Sequence, residues 1–301
     1  MKQSPNERPG GAYPEIVSFP LNTPLAGFSR YDANIAYADR PGCTLDLFLP
    51  WANQHQDELG EARYPLIVFV QGSSWTSPDR GTEVPQLSAL SRRGYVVASV
   101  GHRSCLEGHM APAFLVDVKA AIRFLRAHAA EYSIDRDRVS VWGTSSGGNT
   151  ALLVGLTAGD PRFASAEYPD ESDAVNCVVD CFGPTDIEAM ADEDYADFRD
   201  NPDTIFAKLC GFPLNDETRR VMRLISPLRH VAPGKNLPPF LLLHGTGDPV
   251  VNYNQSERLY HRLIDCGYDA RMARVPGAPH EGGFWSDALL EYIFDYLAER
   301  T

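Results

Sequence analysis

The stretch VWGTSSGGNT sets two serines side by side among small residues, directly after an apolar run that predicts a buried strand. A nucleophilic serine on a sharp strand-to-helix turn needs small residues two positions before and two positions after it, the G-x-S-x-G pattern. Ser145 has Gly143 and Gly147 at those positions, whereas Ser146 has Thr144 two positions before it. The pattern therefore predicts Ser145 as the nucleophile. The alternative is a glycine-rich turn without chemistry, since a short motif of this kind also occurs by chance.

A serine at neutral pH needs a base to accept its proton, and the base needs a group that orients it. In this turn architecture the chain order is serine, then a carboxylate, then histidine. Asp248 follows the apolar run FLLLHG, and His280 follows ARMARVPG. Because the carboxyl ends of parallel strands share one edge of a sheet, we expect Asp248 and His280 to lie near Ser145. Asp186 is the alternative acid, and His244 lies inside a predicted strand, where a packing role is expected.

An acyl-transfer site also needs N–H donors for the oxyanion of its tetrahedral intermediate. The N–H of Ser146 would stand at the positive end of the helix that follows the nucleophile. The loop QGSSW comes directly after the strand run YPLIVFV, and it would supply a second N–H from Ser73 or Ser74. The alternative interpretation of this loop is a simple β-turn.

Apolar runs alternate with helical patterns along most of the chain. The runs predict strands at 43–50, 64–72, 95–103, 138–143, 177–183, 240–245 and 270–277. Helices are predicted at 85–94, 111–132, 256–267 and 286–300, and directly after Ser145. This alternation predicts an α/β fold in which a mostly parallel sheet carries helices on both faces, within a single domain of residues 1–301. The first run ends in proline, which favours an edge strand.

Two segments depart from the alternation of strands and helices. Residues 184–239 are acidic, contain several prolines, and are expected to form short helices that act as a lid over the active edge. Residues 1–20 are rich in proline and glycine and are expected to be loose.

The composition excludes several classes of partner. The net charge of -13 and the pI of about 5.0 argue against binding to nucleic acid or to an anionic membrane. No apolar run approaches the length of a membrane span, and the first residues lack the apolar region of a signal peptide, so a cytoplasmic location is expected. Secretion after removal of a signal is the alternative. Six scattered cysteines predict buried reduced thiols and no metal site.

On these motifs the chain resembles an α/β-hydrolase of the esterase/lipase superfamily, and it is similar to small bacterial carboxylesterases of the feruloyl and acetyl-xylan esterase type. The matching pieces include YPLIVFVQGSSW, DRVSVWGTSSGG, FGPTD, LPPFLLLHGTGDPVV and PHEGGFW, and they extend from residue 45 to the last helix. The resemblance implies a triad of Ser145, His280 and Asp248, with no metal and no organic cofactor. Relatives usually carry HGGGW where this chain has QGSSW, so the resemblance leaves open which N–H groups bind the oxyanion.

Gly72, Trp75 and Trp285 are further candidates for substrate contact because they lie in or near the two loops, although each tryptophan would serve equally well as a core or lid aromatic. The expected reaction is hydrolysis of a small-molecule ester with an acetyl, short-chain or hydroxycinnamoyl acyl group. Three alternatives stay open: a serine peptidase or amidase of the prolyl-oligopeptidase type, a lactonase or dienelactone hydrolase, and a non-catalytic ligand-binding protein of the same fold. The sequence does not fix the oligomeric state, and a homodimer is compatible with it.

Overall fold

One sheet organises the described part of the chain. The computed structural model describes residues 17–21, 27–51, 62–193 and 201–301, so the segment predicted to be loose lies largely outside it. The strands are β1 (Ser29–Ala36), β2 (Thr44–Pro50), β3 (Tyr64–Val70), β4 (Val96–Val100), β5 (Ile134–Thr144), β6 (Val178–Cys181), β7 (Phe240–Gly245) and β8 (Ala270–Val275). Their order is β1-β2-β4-β3-β5-β6-β7-β8. The pairs β1–β2 and β2–β4 are antiparallel, and every other pair is parallel.

The strand β2 is not the edge strand that its terminal proline suggested. It pairs with β4 on one side and with β1 on the other. The β1 sequence SRYDANIA lacks a continuous apolar run, and its pairing with β2 is irregular between Asp32 and Ile35. An exposed strand of this kind gives only a weak hydrophobic pattern, which is why the sequence did not reveal it.

Helices cover both faces of the sheet. They are α1 (Val84–Ser91), α2 (Ala113–Ala127), α3 (Ser146–Leu156), α4 (Ile187–Glu193), α5 (Ile205–Cys210), α6 (Asp216–Leu224), α7 (Asn254–Asp265) and α8 (Asp287–Arg300). Side chains of β3 alternate between two hydrophobic cores, with Val68 in one and Phe69 in the other. The helices α2, α3 and α7 pack on the first core, and α1 and α8 pack on the second. The predicted α/β architecture is confirmed.

The strand ends bring distant parts of the chain to one edge. The last residues of β3 and β5 are in register, since Val70 pairs with Gly143. On the far side of β6, Gly245 of β7 pairs with Val275 of β8. The segments that follow these four strands contain the loop 71–75, Ser145, Asp248 and His280 in turn. The parallel arrangement therefore places all four at the same edge of the sheet.

The segment 184–239 is a helical insertion between β6 and β7. It contains α4, α5, α6 and a short 3₁₀ turn, Pro227–His230, and its residues 194–200 lie outside the described part. The N–H of Ala111 donates to the carbonyl of Leu209 at 2.8 Å, and the rings of Trp75 and Phe206 lie 6.4 Å apart. The insertion thus packs beside the loop 71–75, and its role as a lid stays a prediction.

Candidate active site

The turn at Ser145 is shaped by glycines at close backbone approaches. Ser145 has φ 52° and ψ -124°, a conformation that a residue with a side chain rarely adopts. A Cβ on Gly143 would lie 2.1 Å from the carbonyl oxygen of Gly147, and a Cβ on Gly147 would lie 1.9 Å from that of Val70. No side chain fits at either position, so the G-x-S-x-G pattern reflects steric necessity at this turn.

Ser145, His280 and Asp248 form a continuous hydrogen-bonded chain. The Oγ of Ser145 lies 2.9 Å from Nε2 of His280, and Nδ1 of His280 lies 2.7 Å from Oδ2 of Asp248. A carboxylate only accepts hydrogen bonds, so Nδ1 carries the ring proton and Nε2 is left to accept a proton from the serine hydroxyl. A histidine that acts as a general base requires this tautomer.

Asp248 is held ionised although it is buried. Its Oδ1 accepts the N–H groups of Val250 at 2.8 Å and Val251 at 3.0 Å, and its Oδ2 lies 3.2 Å from Nε2 of His244. Burial by itself would raise the pKa of Asp248, but the hydrogen bonds from His244, His280 and the backbone outweigh burial and hold the pKa well below its usual range. Asp248 therefore stays anionic across the neutral pH range.

His244 is a contact of the acid that sequence reasoning missed. Its position inside an apolar strand predicted a packing histidine, and it is indeed fully buried. In the structure its Nδ1 lies 2.7 Å from the hydroxyl of Ser256, while its Nε2 faces both Asp248 and the carbonyl of Val251. The signal in the sequence was a histidine at the end of a strand, four residues before the candidate acid.

Asp186, the alternative acid, lies in a different environment. Its Oδ2 is 3.0 Å from Nη2 of Arg258 and 3.9 Å from Nη2 of Arg229. The side chain is buried, and its backbone N–H donates to Oε1 of Gln255 at 2.7 Å. The carboxylate that hydrogen-bonds His280 is that of Asp248.

The amides expected to bind the oxyanion differ in availability. The N–H of Gly72 donates to Oγ1 of Thr144 at 2.9 Å, and the N–H of Ser73 donates to Oγ of Ser146 at 2.9 Å. Within the described ranges, the N–H groups of Ser74 and Ser146 have no acceptor. The N–H groups of Ser74 and Ser146 are therefore free, whereas that of Ser73 is held by the hydroxyl of Ser146.

The three residues suggested as substrate contacts lie in different surroundings. A Cβ on Gly72 would stand 2.7 Å from that of Ser145, so this glycine lies directly against Ser145. Trp75 is only 4% exposed and donates from Nε1 to Oδ1 of Asn149 at 3.3 Å, which is the core position that was the alternative for it. Trp285 is partly exposed, and its Nε1 donates to Oε2 of Glu281 at 2.7 Å. Glu281 directly follows His280 in the chain.

Phe182 forms part of the wall of the site and was not singled out from the sequence. Its ring lies 4.6 Å from that of His280 in an edge-to-face contact, and 4.8 Å from that of Phe284. These contacts hold the imidazole plane in place beside Ser145. Phe182 follows β6 and is the first residue of the piece FGPTD, but that pattern did not indicate that its ring would contact His280.

Most of the sequence matches a known protein family. The sequence model of the BD-FAE family matches residues 45–263, a stretch that includes Ser145 and Asp248. The chain belongs to the BD-FAE family. The matched stretch ends before His280, which the fold brings back to the other two residues.

Relatives of this family member are named as esterases. It is 31% identical to "Esterase LipC" of Mycobacterium tuberculosis over 82% of its own length, and it spans 58% of that relative. A solved "truncated form of carbohydrate esterase from gut microbiota" superposes with a TM-score of 0.78 at 30% identity, covering 91% of this chain and 97% of the other. Esterase 2 of Thermogutta terrifontis superposes with a TM-score of 0.70 at 22% identity, covering 91% and 95% of the two chains, and shows a common fold.

Within residues 17–21, 27–51, 62–193 and 201–301, no group of three or more His, Cys, Asp or Glu side chains is arranged to hold a metal ion. No helix in those ranges is long and apolar enough to cross a bilayer. All six cysteines are free, and five of them are buried.

Proposed function

We propose that this BD-FAE family member is a serine carboxylesterase that hydrolyses small acyl esters through an acyl-enzyme. The observation that carries the proposal is the hydrogen-bonded chain of Ser145, His280 and Asp248 at a strained turn. The names of the relatives support ester hydrolysis as the reaction class.

In the first step His280 takes the proton from Ser145 while the serine oxygen attacks the ester carbonyl. The N–H groups of Ser146 and Ser74 receive the oxyanion, and each such donor lowers the barrier by about 3 kcal/mol. The protonated His280 then gives its proton to the departing alcohol. Asp248 stays ionised and stabilises the imidazolium, because its pKa lies far below neutrality.

In the second step water replaces the alcohol. His280 accepts a proton from water as the hydroxide attacks the acyl carbonyl, and the proton returns to Ser145 as the acid leaves. The acyl groups proposed are acetyl, short aliphatic or hydroxycinnamoyl, and the carbohydrate esterase with which the chain superposes favours a sugar as the alcohol.

A rate panel combined with covalent labelling tests this proposal. Initial rates on p-nitrophenyl acetate through octanoate, methyl ferulate and acetylated xylan give the substrate class. A fluorophosphonate should add one label per chain in intact-mass spectrometry and abolish the rates. Ser145→Ala should lose the label and about 10⁴-fold or more of kcat. Ser146→Ala should keep the label, because its own N–H remains. No hydrolysis of any ester, or a label that persists in Ser145→Ala, would contradict the proposal.

The acid is tested by a matched pair of amide substitutions. Asp248→Asn should lower kcat by about 10⁴-fold, because an amide favours the wrong tautomer of His280. Asp186→Asn should leave kcat within about tenfold, since Asp186 pairs with Arg258. The reverse order of effects would assign the acid to Asp186.

A further inference from the structure

A cavity of about 570 Å³ lies beside α6 and the turn Pro227–His230. This volume is within the range of small-molecule pockets in proteins. Val221, Leu224 and Ala232 give it an apolar wall. The charged side chains that line it are all cations: Arg162, Arg220, Arg223, Arg229 and Lys235.

The cavity is separate from the proposed active site. Ser145 immediately precedes α3, whereas Arg162 lies in the short turn Pro161–Phe163, which comes after the other end of that helix. A helix of 11 residues is about 16 Å long, so the two positions lie at opposite ends of it. Neither His280 nor Asp248 lines the cavity.

The cations of the cavity are incompletely neutralised. Arg220 has no ion-pair partner within the described part of the chain, and Nζ of Lys235 donates to the backbone carbonyl of His230 at 2.8 Å. Glu188 lies 2.6 Å from Arg223 and 3.6 Å from Arg229, and Asp186 lies 3.9 Å from Arg229. Both carboxylates are shared, since Glu188 also pairs with Arg219 and Asp186 with Arg258. Positive charge therefore remains available to a ligand at this cavity.

Arg162 is the one cation with a carboxylate of its own. Asp160 binds it in a bidentate pair, with Oδ2 at 2.5 Å from Nη2. This pair fixes the guanidinium. The guanidinium carbon also lies 5.4 Å from the centroid of the Phe163 ring, which restrains it further. The bonds to Asp160 use Nε and Nη2, so Nη1 has no hydrogen-bond partner within the described residues.

His230 shows that the positive field reaches the wall of the cavity. Its Nε2 lies 2.8 Å from the carbonyl of Leu224 and must donate to it, so Nδ1 carries no proton in the neutral ring. Burial lowers the pKa of His230, and the charges of Arg162 and Lys235 act in the same direction, whereas the hydrogen bond to Leu224 and the charge of Asp160 oppose the shift. The ring is therefore neutral, and it adds an apolar surface beside the cations.

A concentration of like charges is unfavourable in the absence of a counter-charge, and it is unexpected on a chain of net charge -13. Guanidinium groups bind phosphate, sulfate and carboxylate oxygens in pairs of parallel hydrogen bonds. We propose that the cavity binds a small organic anion, in which a phosphate, sulfate or carboxylate group is attached to an apolar or aromatic body. The anionic group would meet Arg220 and Lys235, and the body would lie against Val221 and Leu224.

Isothermal titration calorimetry of the full chain with phenyl phosphate tests this proposal. Arg220→Gln/Lys235→Gln removes two of the cavity's charges. Arg92→Gln/Arg274→Gln is the matched control, because both arginines are exposed, lack ion pairs within the described ranges, and lie elsewhere on the surface. Thermal unfolding of each variant establishes that it is folded before titration.

Phenyl phosphate should bind at one site, and its affinity should fall at least tenfold in Arg220→Gln/Lys235→Gln while the control variant binds as the parent chain does. Phenol should not bind, and raising the salt concentration should weaken the binding of phenyl phosphate. Inorganic phosphate should bind at least tenfold more weakly than phenyl phosphate. Absence of saturable binding, equal affinity in both double variants, or equal affinity for inorganic and phenyl phosphate would overturn the proposal.

Discussion

The turn at Ser145 and the loop 71–75 are neighbours at the active edge, but they are shaped by different means. Both contain non-glycine residues with positive φ, 52° at Ser145 and 53° at Ser74. At Ser145 the shape comes from flanking glycines that allow backbone to touch backbone. In the loop, the amides of Gly72 and Ser73 are held by the hydroxyls of Thr144 and Ser146. The turn depends on the absence of side chains at two glycines, one of which lies against Gly147 within the turn and the other against the carbonyl of Val70 on β3. The loop depends on hydroxyl partners 72 and 73 residues away in the chain.

A motif is most readable where the residue types themselves carry the constraint, as the glycines around Ser145 do. The carbonyl of Ser73 also accepts the N–H of Thr76 at 3.0 Å and its hydroxyl at 2.6 Å, so the loop is braced by side chains that a pattern of glycines would not supply. A backbone held by hydroxyls loses about 1 kcal/mol per bond when one is removed, whereas a methyl placed inside a backbone contact forces the chain to move.

The largest effect is expected from Gly147→Ala. Its Cβ would lie 1.9 Å from the carbonyl oxygen of Val70 and 2.6 Å from that carbonyl carbon, and backbone atoms cannot rotate away. We expect kcat/KM to fall by about 10³-fold or more, with the free energy of unfolding lowered by about 3 kcal/mol. Ester hydrolysis and urea unfolding measure the two effects. Gly81→Ala is the control, because its Cβ would meet only the carboxylate of Asp79, at 3.2 Å.

The next largest effect is expected from Gly72→Ala. The added methyl would lie 2.7 Å from the Cβ of Ser145 and 3.0 Å from the carbonyl of Thr144, so the loop must move away from the nucleophile. We expect kcat to fall by about 10²-fold, a cost typical of displacing reacting groups by about 1 Å. Circular dichroism should remain that of the parent chain. A larger loss of kcat here than in Gly147→Ala would reverse the comparison.

Thr144→Val tests the hydroxyl bracing of the loop with almost no change in volume. Thr144 is fully buried, and its Oγ1 accepts the N–H of Gly72. Loss of this hydrogen bond should lower the free energy of unfolding by about 1–2 kcal/mol and kcat by roughly tenfold. Thr144→Ser keeps the hydroxyl and should retain kcat within about threefold. Equal kinetics for the two variants would show that this bond does not position the loop.

Of these substitutions, Asp180→Asn should have the smallest effect on the free energy of unfolding at the lower pH values. Asp180 is fully buried behind the turn; its Oδ1 accepts the N–H of Gly183 at 3.0 Å, and its Oδ2 has no hydrogen-bond partner within the described residues. Burial raises the pKa of Asp180 from 3.8 to about 8. Between these values the folded chain holds a proton that the unfolded chain has released, so stability is lost as the pH rises.

Urea unfolding at pH 5 and pH 8 isolates this contribution. Relative to Asp180→Asn, the parent chain should be less stable at pH 8 than at pH 5, because only the parent must release the proton. Asp160→Asn is the opposite case, since its ion pair with Arg162 lowers the pKa of Asp160 to about 2 and adds no slope in this interval. A stability difference between Asp180→Asn and the parent that does not change with pH would show that Asp180 is ionised when folded.

The sequence by itself determined the parts of this protein that depend on short-range order. Continuous apolar runs predicted β3, β5, β6 and β7, because a strand buried on both faces leaves no polar alternation. The glycines around Ser145 selected it over Ser146, since a side chain on Gly143 would strike the backbone of Gly147, and one on Gly147 would strike that of Val70. The order of serine, carboxylate and histidine after successive strands singled out Asp248 and His280, which the structure places within hydrogen-bonding distance of one another and of the serine.

Only the tertiary structure decided the contacts between segments that are far apart in the chain. The hydrogen bond of His244 to Asp248, the packing of Phe182 on His280 and the burial of Trp75 all depend on how strand ends converge. The same holds for the amides of Gly72 and Ser73, and for the cluster of Arg162 with Arg220 and Lys235. Hydrophobic periodicity records which face of an element is buried, but it carries no information about which side chain from another element will meet it.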